Sequence, residues 1–215
     1  DVVTNMLSYI ERPGMRLDII SRYRRRDRFD QQQDAIITTT PVASHGWSTF
    51  RKGRSGHDTP PPGVVFSDII HEGGASTTRV YAVHLKSEYG ATTEKKRSLN
   101  RFKRAYSIEH ILKLEKPPTK KSDAARNNVI IAGDINADKW NDYFSRDTVF
   151  SILEEAGFVN HLEQLPLHKR DTKPSKKWGR SALDYVFSRG LDKPKSVHIE
   201  DSNNASDHNA VFVVF

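Results

Sequence analysis

Apolar residues fall mostly in short runs along this chain. Val129-Ile130-Ile131-Ala132 is rich in β-branched residues and stops at Gly133, which reads as a buried strand. Ala35–Thr39, ended by Pro41, reads the same way, as do Val64–Ile70, Arg79–Leu85, Ala182–Phe187 and Val211–Phe215. Gly73-Gly74 suits a hairpin connection between the second and third of these. Two stretches follow a helical period instead. Residues 93–116 place Leu99, Phe102, Tyr106, Ile108, Ile111 and Leu112 at a spacing of about 3.6, with Thr93 as cap and Pro117-Pro118 as stop. Their many Lys and Arg are expected on the solvent face. Thr148–Ala156 is a shorter helix, capped by Asp147 and stopped by Gly157. Residues 1–20 suggest a helix, a turn at Pro13-Gly14 and a strand; residues 51–63 are loop-like. Strands joined by short loops favour antiparallel pairing, so the pattern predicts α+β or an α/β sandwich rather than a doubly wound sheet. With no repeat and no internal boundary, residues 1–215 are expected to form a single domain.

Polar residues stand at the ends of these strands. Asp134 and Asn136 follow Gly133, and residues two apart in an extended chain point to one side. A strand followed by an Asp/Asn turn explains them equally well. A second polar cluster, Ser206-Asp207-His208, precedes the last strand. In Arg79–Leu85 the period of two sets His84 on the face of Ala82, with Lys86 next along it. Asp184 interrupts an apolar run, where a carboxylate is expensive unless paired, and a histidine is its natural partner. Carboxylates, an amide and an imidazole at strand ends are the parts of a metal-assisted phosphate site.

Charge adds a partner class. The net charge of +7 fits a polyanion such as nucleic acid, and also an anionic membrane surface. Arg22–Arg28 holds five Arg in seven residues, as fits either a solvated loop or a phosphate-contacting edge. Residues 166–180 carry six Lys/Arg with Trp178 among them, a pattern that can grip a phosphate backbone and stack on bases. Lys86, Arg170, Lys176, Lys177 and Trp178 are the candidate nucleic-acid contacts. The absence of Cys excludes disulfides, thiolate catalysis and Cys-ligated zinc. No apolar run approaches transmembrane length.

Taken together, the motifs resemble those of the endonuclease/exonuclease/phosphatase superfamily, in its deoxyribonuclease I-like branch. Gly133-Asp134-Ile135-Asn136 is similar to its GD-x-N motif, Ser206-Asp207-His208 to its SDH, Leu183–Phe187 to its "iDyif" strand and Val83–Ser87 to its "HLKS" strand. The resemblance implies a four-layer fold, with two mixed β-sheets packed face to face and helices outside. It implies Mg²⁺- or Mn²⁺-dependent cleavage of a phosphodiester in nucleic acid, DNA being favoured. His208 would be the base, oriented by Asp184. Asp207 would ligate the metal, Asp134 and Asn136 would position metal, nucleophile and phosphate, and His84 would bond a phosphoryl oxygen.

The chain departs from the family pattern at its start. The family opens with a strand ending in Asn and another ending in Gln-Glu, whose Glu is a principal metal ligand. Asp1–Leu7 resembles the latter faintly, with Met6-Leu7 in place of Gln-Glu. The chain is therefore expected to begin just after that Glu; Glu11 is the substitute candidate. A fragment, a second chain supplying the strands, or a lost metal site would each explain this. A monomer without membrane partners is expected otherwise. Rival readings are a phosphatase or phosphodiesterase on another phosphate ester, and a non-catalytic nucleic-acid-binding module.

Overall fold

The computed structural model describes residues 18–21, 34–50, 63–71, 73–74, 76–88, 90–115, 128–174, 179–203 and 205–215. Arg22–Arg28, Asp1–Leu7, Glu11, Lys176, Lys177 and Trp178 lie outside them. The strands are β1 (Asp18–Ser21), β2 (Ala35–Thr38), β3 (Val42–Thr49), β4 (Gly63–Ile70), β5 (Thr77–His84), β6 (Val129–Asp134), β7 (Val159–Asn160), β8 (Asp184–Arg189), β9 (Ser196–Glu200) and β10 (Ala210–Val214). The helices are α1 (Glu94–Leu114) and α2 (Val149–Glu155). None of the described helices is long and apolar enough to cross a membrane.

Six strands form one sheet in the order β3-β4-β5-β6-β8-β7. Among the described residues only β5–β6 is parallel, and α1 lies in the connection between these two strands. The other pairs are antiparallel, so the sheet is mixed. β1–β2 and β9–β10 form separate antiparallel pairs. The first lies against β4 and the second against β8.

One face of the large sheet packs on both helices. Val64, Tyr81, Val83, Val129, Ile131, Tyr185 and Phe187 meet Ile108 and Ile111 of α1 and Val149, Phe150 and Leu153 of α2. The opposite face sets Val65, Val80 and Ala82 against Ile36 of β2. Strand parity puts His84 on this second face, in phase with Ala82. The fold is thus α/β, with helices, a mixed sheet and smaller strand pairs in successive layers.

Helix α1 departs from the expected face. Thr93 caps it, its Oγ1 accepting from the Lys96 N–H at 3.3 Å. However, Leu99, Phe102 and Tyr106 are exposed, while Asn100, Arg104 and Ser107 are buried beside Ile108 and Ile111. The reason is ionic. Arg104 is wholly buried, and its guanidinium bonds Asp147, Glu88 and the Lys86 carbonyl. A charge with that many partners can displace an apolar side chain from a buried stripe. Asp147 also accepts from the Val149 N–H at the start of α2, so one carboxylate serves a cap and an ion pair.

Candidate active site

Strand register builds the site. His84 ends β5, Asp134 ends β6 and Asp184 begins β8; His84 pairs with Asp134, and Asp134 with Asp184, across the sheet. Gly133 lets β6 approach β5 closely. At its φ of 133°, a Cβ would lie 2.1 Å from the Val83 carbonyl oxygen, a clash that no L side chain tolerates. Asn136 then turns the chain at φ 55°. Its backbone N–H donates to Asp134 Oδ1 at 2.7 Å; its Nδ2 donates to Asp134 Oδ2 at 2.9 Å and to the Leu85 carbonyl at 3.1 Å. Asn136 therefore fixes the Asp134 carboxylate and ties it to the end of β5.

His208 arrives from the loop before β10. Its Nδ1 lies 2.7 Å from Asp184 Oδ2, so Nδ1–H donates to the carboxylate and the neutral ring keeps Nε2 as acceptor. Ligand atoms of Asp134, Asp184 and His208 lie within 4.8 Å of one another. His84 Nε2 is 3.6 Å from Asp134 Oδ2. Hydrogen bonding to Asp184 raises the pKa of His208 above its ordinary value. Burial, reinforced by the Asp184 charge, pushes Asp134 up to about 7.

Asp207 stands apart from this group. Its side chain is 83% exposed and ion-paired with Lys173, which holds its carboxyl below the usual range. Lys86 is exposed, and its carbonyl serves Arg104. Arg170 turns inward: it donates to the Leu165 and Glu163 carbonyls, and its guanidinium lies 4.2 Å from the Trp140 ring centroid. An open cleft beside the cluster is lined by Lys169, Asp171, Arg180, His198 and Asn209, the last adjacent to His208 in the chain.

Two residues unmarked by the sequence reading hold the site together. Thr172 is completely buried, and its Oγ1 accepts from the backbone N–H groups of Leu183 at 2.9 Å and Asp184 at 3.0 Å. Its carbonyl accepts from the Asn209 N–H at 2.8 Å, so one threonine joins the loop bearing His208 to the start of β8. Asp138, also buried, accepts from the N–H groups of Trp140 and Ala182. A threonine inside a basic segment gives no periodic signal; Asp138, two residues beyond Asn136, reads in sequence as more of the same turn.

Residues 118–208, which carry Asp134, Asn136, Asp184, Asp207 and His208, match the model of the Endonuclease/Exonuclease/phosphatase family. No curated protein matches the sequence. Among solved structures, an endonuclease/exonuclease/phosphatase family protein from Leptotrichia buccalis superposes with a TM-score of 0.67 at 17% identity, over 99% of this chain and 75% of that one. A humanized D. rerio TDP2 gives 0.64 at 16% identity, over 99% and 80%. A mannosyl-6-phosphatase from Bacteroides thetaiotaomicron gives 0.53 at 14%, over 85% and 71%. The fold is that of these proteins. Residues 118–208 are thus similar to the Endonuclease/Exonuclease/phosphatase family, and the likeness to these solved structures shows the fold.

Proposed function

We propose that this chain hydrolyses phosphodiester bonds of nucleic acid, DNA in the first instance, with the help of a divalent cation. The observation that carries the reading is the His208–Asp184 pair beside Asp134. Asp184 holds the imidazole with Nε2 free to take a proton from water, and stabilises the imidazolium that forms. His84, at the end of β5, is placed to bond a phosphoryl oxygen as negative charge gathers there.

The donor set fits a hard cation. Asp134 and Asn136 supply oxygen ligands of the kind Mg²⁺ and Mn²⁺ prefer, and Asp207 adds another when it leaves Lys173. The structural argument is geometric: ligand atoms of Asp134, Asp184 and His208 lie within 4.8 Å of one another, and the buried Asp134 carboxylate beside Asp184 would be favoured in its ionised form by a cation. A bound cation would neutralise phosphate charge and stabilise the leaving oxygen. The net charge of +7, and Lys169 and Arg180 at the neighbouring cleft, favour an extended polyanion over a small phosphate ester. We read the protein as a monomer, with Lys86 and the 166–180 segment as contacts for the strand; Lys176, Lys177 and Trp178 belong to that segment.

Supercoiled plasmid tests the reading. Nicking is expected with Mg²⁺ or Mn²⁺, absent with EDTA, and lost in His208→Ala. A folded protein that leaves the plasmid intact in both metals, yet releases phosphate from p-nitrophenyl phosphate, would transfer the same site to monoesters. Binding without any hydrolysis would make it a nucleic-acid-binding module.

A further inference from the structure

We propose that the Lys173 ammonium is a phosphate-binding group of this site, held in reserve by Asp207 and released when a divalent cation takes that carboxylate. The inference rests on the metal-dependent reading above and adds a residue to it.

Lys173 is built into the scaffold of the active site. Its N–H donates to the Ser181 carbonyl at 2.9 Å, and the preceding residue is Thr172, the buried anchor of Asp184 and of the loop bearing His208. The Lys173 side chain is only 24% exposed, whereas its partner Asp207 is 83% exposed. The lysine is thus the more enclosed member of the pair and the aspartate the more open one. Its charge also acts on the two groups at the centre, Asp134 and His208, which places it within electrostatic reach of the cluster.

An anchored cation in that position has two anionic clients. Without metal it takes Asp207, the residue beside His208. A divalent cation that draws Asp207 toward Asp134 leaves the ammonium without its partner while a phosphate oxygen arrives nearby. Exchange of one anion for another keeps the lysine paired at each stage and avoids a bare half-buried charge. The same lysine opposes the metal while Asp207 is bound to it. Removing Lys173 should therefore affect metal and phosphate in opposite directions, which a merely structural lysine would not do.

Calorimetric titration of the full chain tests this in two arms. In the first, Mn²⁺ alone is titrated into wild type, Lys173→Met and Lys173→Arg. Lys173→Met is expected to bind Mn²⁺ about two- to fivefold more tightly, the span an ion pair of this exposure represents. In the second, inorganic phosphate is titrated into the Mn²⁺-loaded proteins. Lys173→Met is expected to bind it about tenfold more weakly, as fits the loss of a hydrogen bond to a charged group. Lys173→Arg, which keeps the charge, should retain phosphate affinity and guards against a folding defect in the methionine variant. Unchanged or weaker Mn²⁺ binding in Lys173→Met, or unchanged phosphate binding, overturns the proposal while leaving the metal-dependent reading intact. Failure of wild type to bind Mn²⁺ at all overturns both.

Discussion

His208 Nδ1 sits 2.7 Å from Asp184 Oδ2, although 24 positions separate them, one residue lying in the loop before β10 and the other at the start of β8. Thr172 makes the meeting possible by bonding both the start of β8 and Asn209. Two of the four predictions below concern that arrangement.

The base and its partner should separate in a pH profile. His208→Ala is expected to lower kcat by about 10²–10⁴, the usual worth of a general base. In wild type the acidic limb should lie above the ordinary histidine value of 6.5, because Asp184 raises the pKa and only the neutral ring accepts a proton. Asp184→Asn should lower the plateau and move that limb to lower pH. An unmoved limb would show that Asp184 does not act through His208.

Asp134 and His208 should make the metal-free protein less stable as pH rises. Asp134 has a folded pKa of about 7 against an ordinary 3.8, so its contribution is fully present below about 3.8 and lost as pH climbs through 7. His208 is raised from 6.5, so its contribution has the same sign and is lost as pH rises through its raised folded value. The thermal midpoint in EDTA should therefore fall from pH 5 to pH 8, and more gently in Asp134→Asn. Mn²⁺ favours the ionised carboxylate, so its stabilising effect should grow over the same range. An Asp134→Asn curve parallel to wild type would refute the assignment.

Thr172→Val should cost both stability and rate. It leaves the N–H groups of Leu183 and Asp184 without their acceptor in a fully buried place, at about 1–3 kcal/mol for each unsatisfied group. Thr172→Ser keeps the oxygen and should recover most of the loss. Denaturant midpoints and kcat measured on the pair would decide it; equal behaviour of Val and Ser would remove the hydroxyl from the account.

Arg104→Met should be strongly destabilising. It leaves Asp147 without its buried cation, a change of about 3–5 kcal/mol when one partner of a buried pair is removed. Since Arg104 also holds the Lys86 carbonyl just beyond His84, the loop after β5 should loosen as well. Faster hydrogen exchange at residues 85–88 would show this, and unchanged exchange with a small midpoint shift would contradict it.

Much of the fold was legible in the chain. β4, β5, β6 and β8 were read from their apolar runs, and β4–β5 pairs as the hairpin that Gly73-Gly74 suggested. β3 was missed because it is an edge strand, paired only with β4 and largely exposed, so it needs little apolar sequence. β9 was missed for a related reason, since it pairs only with β10 and its residues alternate between exposed and half-buried. α1 was placed correctly but turned to the wrong face, because aromatic spacing cannot reveal that Arg104 finds Asp147 in a segment 43 residues away. For the site, the motifs around Asp134, Asp184 and His208 were visible as strand-end polar residues, and all three converge. Asp207 and Arg170 look in sequence like their neighbours, yet the structure pairs one with Lys173 and turns the other onto Trp140.

The sequence by itself determined the apolar strands β4, β5, β6 and β8 and the polar residues at their ends, because burial and the period of two are local properties written into neighbouring positions. Tertiary structure alone decided that Asp134 and Asp184 share a register, that His208 reaches Asp184, and that Lys173 pairs with Asp207. Those are distances between segments remote in the chain, and they depend on sheet order, on a buried threonine and on ionic pairing that no local pattern encodes.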